Sequence, residues 1–208
     1  MATRSMTREE SKALTRRRLI EAALKLMGDT DGAIPTATAI AREAGVAQPT
    51  FYVHFRDRDD LMRAVGESRM EQLRRDMAKA RRMIDFHAFA RDAAGTGLVE
   101  ALRWTIETTV AQPALFRVYM RERTQTGTPL GEHCRQVADS LRTDLRDDLE
   151  EMFTVLGRPK TDLPLEVLSD ALIGSAEAVI GGLMDGRYDD IDSATEALAE
   201  TVRALLAA

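Results

Sequence analysis

The chain has 208 residues, 44% apolar and 30% charged, which excludes a disordered protein and suffices for one large domain or two small ones. Its longest weakly polar run, ALIGSAEAVIGGLM (171–184), contains Glu177 and at fourteen residues is too short to span a bilayer. The net charge of −5 hides an asymmetry: residues 1–58 carry ten Lys/Arg against seven Asp/Glu, and the remainder nineteen against twenty-seven. A basic end on an acidic chain suits an anionic partner for that end alone, although an excess of this size also occurs by ordinary variation. The N-terminal MATRSMTREESK lacks the apolar stretch of a secretory signal, and a lone cysteine, Cys134, forms no internal disulfide. Both fit a cytoplasmic setting without a membrane partner.

No stretch alternates with period two, so the elements read as helices throughout, nine or ten of them: the fold class is all-α. The stripe Ile20, Ala23, Leu24 and Met27 predicts a first helix from about Thr15 to Met27, ended by Gly28-Asp29-Thr30-Asp31-Gly32. Thr36 caps a second helix over 37–44, with Gly45 at the position that favours a left-handed residue. A short third helix covers 48–54 with Pro49 in its first turn. Asp57 caps a fourth, which carries Leu61, Met62, Val65, Met70, Leu73 and Met77 and fades within 74–82. Residues 83–94 read as a further helix, followed by a Gly95-Thr96-Gly97 break. From 98 to 111 the charges Glu100, Arg103 and Glu107 share one face, and a helix otherwise apolar belongs at the centre of a bundle. The spacing predicts further helices over 113–125, 130–156, 165–185 and 191–206, with GRPKTDLP as a loop. The organisation is therefore 1–60 as one domain and 61–208 as the second, with the fourth helix connecting them to about residue 82.

Three short helices and then a long one, with a sharp turn between the second and third, is the layout of a helix-turn-helix DNA reader. Ala41 and Ala44 are small where two helices cross, and Val46 turns inward. Phe51 and Phe55 lie one turn apart on one face, toward Ile20, Leu24 and Leu61. That leaves Gln48, Thr50, Val53 and His54 outward or flanking. Gln48 and Thr50 are short polar groups suited to base edges, and Val53 or the Pro49 ring to a thymine methyl. Tyr52, His54, Arg58 and the helix start at Thr36 and Thr38 suit phosphate oxygens.

The stretch TATAIAREAGVAQPTFYVHFRDRDDL resembles the N-terminal domain of the TetR family of bacterial transcriptional regulators. The resemblance rests on Thr36, Ile40-Ala41, Ala44-Gly45-Val46, Tyr52-Val53-His54-Phe55, Arg58 and Asp59-Asp60-Leu61, and covers about residues 14–65. Two positions depart from the family pattern: Arg58 stands where lysine is usual, and Ala47 where a serine usually caps the recognition helix. The resemblance implies a homodimeric regulator, a repressor released from a pseudo-palindromic operator by a small molecule, with no cofactor. It also implies a C-terminal helical domain that binds the ligand and dimerises. Gly174, Ala178 and Gly182, small residues at four-residue spacing, are the dimer-interface candidates, and the same stripe also suits a contact within the chain. The phrase PALFRVYMRERTQTGTP is similar to a segment of members that regulate fatty-acid metabolism, which implies an acyl chain or acyl thioester as effector. Trp104, Phe116, Tyr119, Met120 and Glu177 are the ligand-binding candidates, though at helical spacing the first four are equally core residues.

His54, His87 and His133 have no mutual metal-ligand spacing, and no nucleophile, phosphate-loop or dinucleotide motif occurs. Two other readings stay open on the residues alone. A small helical enzyme would use Glu177, His133 or Cys134, which form no paired acid and base. A helical scaffold or small-molecule-binding bundle without a DNA role would leave the exposed Gln48, Thr50, His54 and Arg58 unexplained.

Overall fold

The computed structural model describes residues 7–30, 34–84, 96–157 and 164–207, which form nine helices and no strand. α1 is Arg8–Gly28, α2 Ala37–Glu43 and α3 Gln48–His54. α4 begins as Arg58–Val65, passes through a π-helical turn at Gly66–Met70 and continues as Glu71–Arg81. α5 is Thr96–Val110, α6 Pro113–Glu122, α7 Pro129–Leu156, α8 Leu165–Met184 and α9 Ile191–Ala207.

Several boundaries differ from those the hydrophobic pattern predicts, each for a local reason. α1 starts seven residues before Thr15, because Thr7 and Glu10 form a capping box. The Thr7 hydroxyl accepts the Glu10 N–H at 3.2 Å, and the Glu10 carboxylate accepts the Thr7 N–H at 2.8 Å. A cap sets that end where no apolar stripe announces it. Thr96 and Gly97 lie inside the first turn of α5 and not in a break before it. α6 stops at Glu122, three residues short of Gln125, where the Gln125 N–H turns back to the Glu122 carbonyl. Of the helix predicted over 83–94, residues 83 and 84 are described and are not helical; the rest, with His87, lies outside the described residues.

The chain packs as two compact units, neither continuous in sequence: residues 1–71 with 114–135, and residues 72–113 with 136–208. The first buries Leu19, Ala23, Met27, Ile40, Phe51, Phe55, Leu61, Val65 and Met70, together with Leu115, Val118, Tyr119, Leu130 and Cys134 from the later segment. Within it the π turn of α4 is braced twice. A Cβ at Gly66 would come within 2.8 Å of the His133 ring, and Arg69 ion-pairs Glu21 of α1. In the second unit Leu98, Leu149, Met152, Phe153, Leu168, Leu172 and Val202 form one apolar cluster. There α5 packs against both α8 and α9, the central role its apolar circumference predicts. Arg81 adds ion pairs to Asp144 at 3.1 Å and Asp148 at 2.6 Å.

α8 matches the helix predicted over 165–185 to within one residue. As a continuous 20-residue helix it is long and apolar enough to cross a membrane by length and composition, whereas the fourteen-residue run alone is not; only 28% of its most apolar window is buried in this chain.

The turn between α2 and α3 is the sharpest feature of the first unit. The Val46 N–H donates to Ala41 O at 2.9 Å and the Gly45 N–H to Arg42 O at 3.1 Å, the paired bonds of a Schellman closure. Gly45 has φ of +69°, with nothing within 4 Å of where a Cβ would sit. Its requirement is therefore conformational and not one of space. Gly45→Ala is expected to cost about 1–2 kcal/mol and Gly45→Asn less, since Asn tolerates the left-handed region. Urea unfolding curves check this, and equal losses for the two variants would contradict it.

Candidate nucleic-acid interface

α3 has seven residues and too few internal hydrogen bonds to persist alone, so its neighbours must hold it. Ala47 at its start offers no side-chain cap, and Pro49 presets the first turn instead. What holds it is burial: Phe51 and Phe55 are 0% and 1% exposed, their rings 5.7 Å apart. The Phe51 ring also meets Tyr52 edge-on at 5.2 Å, leaving Tyr52 55% exposed. Val53 is 67% exposed, Gln48 and Pro49 are exposed, and Thr50 and His54 are half-buried. Thus the division of α3 into a core face and an outward face follows the predicted one.

α2 supplies the second element. The Thr36 hydroxyl accepts the Ala39 N–H at 3.2 Å, and Thr36 and Thr38 are both exposed. Beyond α3, Asp57 caps α4 through the Asp60 N–H at 2.8 Å, and the Asp60 carboxylate accepts the Arg56 N–H at 3.0 Å. Those bonds fix the corner at which Arg58 stands exposed. Its side chain has no hydrogen bond or ion pair among the described residues.

The structure adds residues outside the predicted set. Lys12 and Arg16, one turn apart on α1, lie beside His54, and the Arg16 guanidinium sits 4.3 Å over the Phe55 ring. Their i, i+4 spacing is the available signal, but only the approach of α1 to the end of α3, seen in Arg16 over Phe55, brings them to this face. The acid nearest the turn, Glu43, is held by Lys25 at 2.5 Å, and residues 44–56 contain no acid. Residues 44–56, with Lys12 and Arg16 beside them, thus bring cations and no acid to the α3 face, although the chain is acidic. Arg42, exposed at the end of α2 with no side-chain partner among the described residues, extends it.

The remaining candidates are divided between the two units. Phe116, Tyr119 and Met120 belong to the first unit, with Phe116 and Tyr119 buried in it. Trp104 and Glu177 belong to the second, both half-buried, and the Lys79 ammonium lies 4.9 Å over the Trp104 ring. Gly174 and Ala178 are exposed on α8. Gly182 is not on that open stripe: it is buried against the ring of Tyr188, whose hydroxyl donates to Val179 O at 2.9 Å. Among the described residues no group of His, Cys, Asp and Glu is arranged to hold a metal ion. Burial pushes the Cys134 thiol up to about 12, which disfavours the reactive thiolate at neutral pH.

Residues 19–65 match the family described as bacterial regulatory proteins, tetR family. Solved structures of like fold include the transcriptional regulator FadR of Bacillus subtilis in complex with stearoyl-CoA, 18% identical, with a TM-score of 0.68 over 89% of this chain and 96% of that one. The fatty acid degradation regulator FadR of Bacillus halodurans is 18% identical, with 0.69 over 91% and 94%. A TetR-like transcriptional regulator from Rhodococcus sp. RHA1 is 21% identical, with 0.69 over 98% and 99%. At these identities the likeness is one of fold.

Partial burial first, then the positive charges of Arg16 and Lys12, hold the His54 imidazole below its ordinary range. The folded state thus favours the neutral ring. Its contribution to stability is present above about pH 6.5 and lost as the pH falls through the lowered folded value. On acidification from pH 7.5 to 5 the melting temperature is expected to fall more steeply for the wild type than for His54→Gln; parallel curves would rule this out.

Proposed function

We propose that this chain, whose residues 19–65 match the tetR family of bacterial regulatory proteins, is a homodimeric regulator of that family, a repressor that binds a pseudo-palindromic operator and is released by a small molecule. The observation that carries this reading is the outward set on α3: Gln48, Pro49, Thr50, Tyr52, Val53 and His54 on a helix held by two buried phenylalanines, flanked by Lys12, Arg42 and Arg58, cations with no side-chain partner among the described residues. Gln48 and Thr50 read base edges. Tyr52, His54, Arg58 and the Thr36–Thr38 turn meet phosphates. Two copies of α3 about 34–36 Å apart would enter successive major grooves.

The under-covered α8 supports the dimer. Its apolar surface, with Gly174 and Ala178 open along it, suits close approach by the same helix of a second copy, and Gly182 drops out of that stripe. The effector lean is an acyl chain or acyl thioester. It is supported by the fold shared with a FadR that holds stearoyl-CoA and by the PALFRVYMRERTQTGTP segment. Trp104 and Glu177 of the second unit are the first candidates for contact. Release needs only that the effector bind the non-DNA form more tightly, and a factor of about 100 corresponds to about 2.7 kcal/mol. Such a regulator works in the cytoplasm.

Binding to the DNA upstream of its own gene is expected to weaken steeply with salt. Arg58→Ala should lower affinity for all duplexes and reduce the slope of log affinity against log salt by about one, whereas Gln48→Ala and Thr50→Ala should change sequence preference. Absence of salt-sensitive binding by the wild type would sink the reading. Ala178→Arg should convert the dimer to a monomer in light-scattering chromatography. Since Trp104 is the sole tryptophan, its fluorescence should respond saturably to stearoyl-CoA, and a flat titration would remove the acyl effector from consideration.

A further inference from the structure

The last turn of α1 has its carbonyl groups accounted for almost one by one. The Asp29 N–H donates to Lys25 O at 3.0 Å and the Thr30 hydroxyl to Leu26 O at 2.9 Å. The Arg121 guanidinium, through Nη1, donates to both Met27 O and Thr30 O at 3.0 Å. Arg121 is the donor in this set that comes from another helix, and a cation there also complements the negative end of the helix dipole. Its fork is oriented by Nε donating at 3.0 Å to Glu122, whose side chain is 10% exposed. A second contact fixes α6 on the same spot: a Cβ at Gly28 would lie 2.6 Å from Cα and Cβ of Ala114.

That turn is tied to the helix-turn-helix. Lys25, one turn from the end of α1, pairs with Glu43 at 2.5 Å, and Glu43 is the last residue of α2 before the Gly45 turn. At its other half α1 carries Arg16 over Phe55. Met27 and Arg16 are about 16 Å apart along the helix, so Arg121 stands well away from the groups that face phosphates.

We propose that Arg121 is a positioning residue for DNA binding: by capping the C-terminus of α1 from α6, it holds the Lys25–Glu43 clasp and with it the orientation of α3, without itself meeting the duplex. This rests on the DNA-binding reading above. Arg121→Met removes the cap, Arg121→Lys keeps the charge but not the fork, and Gly28→Ala displaces α6 from the same turn.

The test is fluorescence anisotropy with a labelled duplex from upstream of the gene, over a salt series, well below each variant's unfolding midpoint. Arg121→Met and Gly28→Ala should weaken specific binding about ten-fold and Arg121→Lys by less. The salt slope should stay at the wild-type value, because no phosphate contact is lost; Arg58→Ala in the same series should lower it. If the wild type itself shows no salt-dependent binding, the DNA reading fails and takes this one with it. If the wild type binds but Arg121→Met binds equally well, or loses slope as Arg58→Ala does, only the positioning role is overturned. Should Arg121→Met not melt cooperatively, Arg121→Lys and Glu122→Gln decide on the same criteria, since both keep the side-chain volume.

Discussion

Everything the candidate interface presents depends on the burial of Phe51 and Phe55. A seven-residue helix with an alanine at its cap position has little reason to exist in isolation. Two rings one turn apart, both out of contact with water, supply that reason and also fix the rotation of the helix about its axis. Once the rotation is set, Tyr52 and Val53 must face solvent. The surface they form is aromatic and apolar at its centre, polar at Gln48 and Thr50, and cationic at its margins.

α1 organises the first unit from both ends. Its basic half brings Lys12 and Arg16 against the end of α3, and its last turn clasps α2 through Lys25 and is capped by Arg121. Between them Glu21 holds Arg69 in the π turn of α4, a turn in which Ser68 bonds back to Ala64 O at 2.7 Å and Gly66 lies under His133. A π turn inside an α-helix is uncommon and needs bracing of this kind. Because residues 114–135 complete this unit, the helix-turn-helix is packed by chain that follows it by many tens of residues.

In the second unit α8 is covered by its own chain on one side only. α8 buries Leu168, Leu172, Ile180 and Gly182 within its own chain, the last beneath Tyr188. Its opposite stripe, with Val167, Gly174 and Ala178, stays uncovered. A helix apolar around most of its circumference and covered on one side leaves a contiguous apolar surface, the feature on which the dimer proposal rests.

The sequence by itself determined what local chemistry controls: the all-helical class, the Thr36 and Asp57 caps, the Gly45 turn and the inward rings of α3. Each depends on residues within one or two turns of one another, so pattern suffices. It missed the start of α1, because a capping box lies outside the apolar stripe, and it missed the π turn, where His133 and Glu21 make contact from elsewhere in the chain. Only the tertiary structure decided that Lys12 and Arg16 join the α3 face, that Arg121 caps α1, that Phe116 and Tyr119 are core of the first unit, and that Gly182 is claimed by Tyr188. Those are contacts between residues far apart in sequence, where no periodicity or spacing says which surfaces will meet.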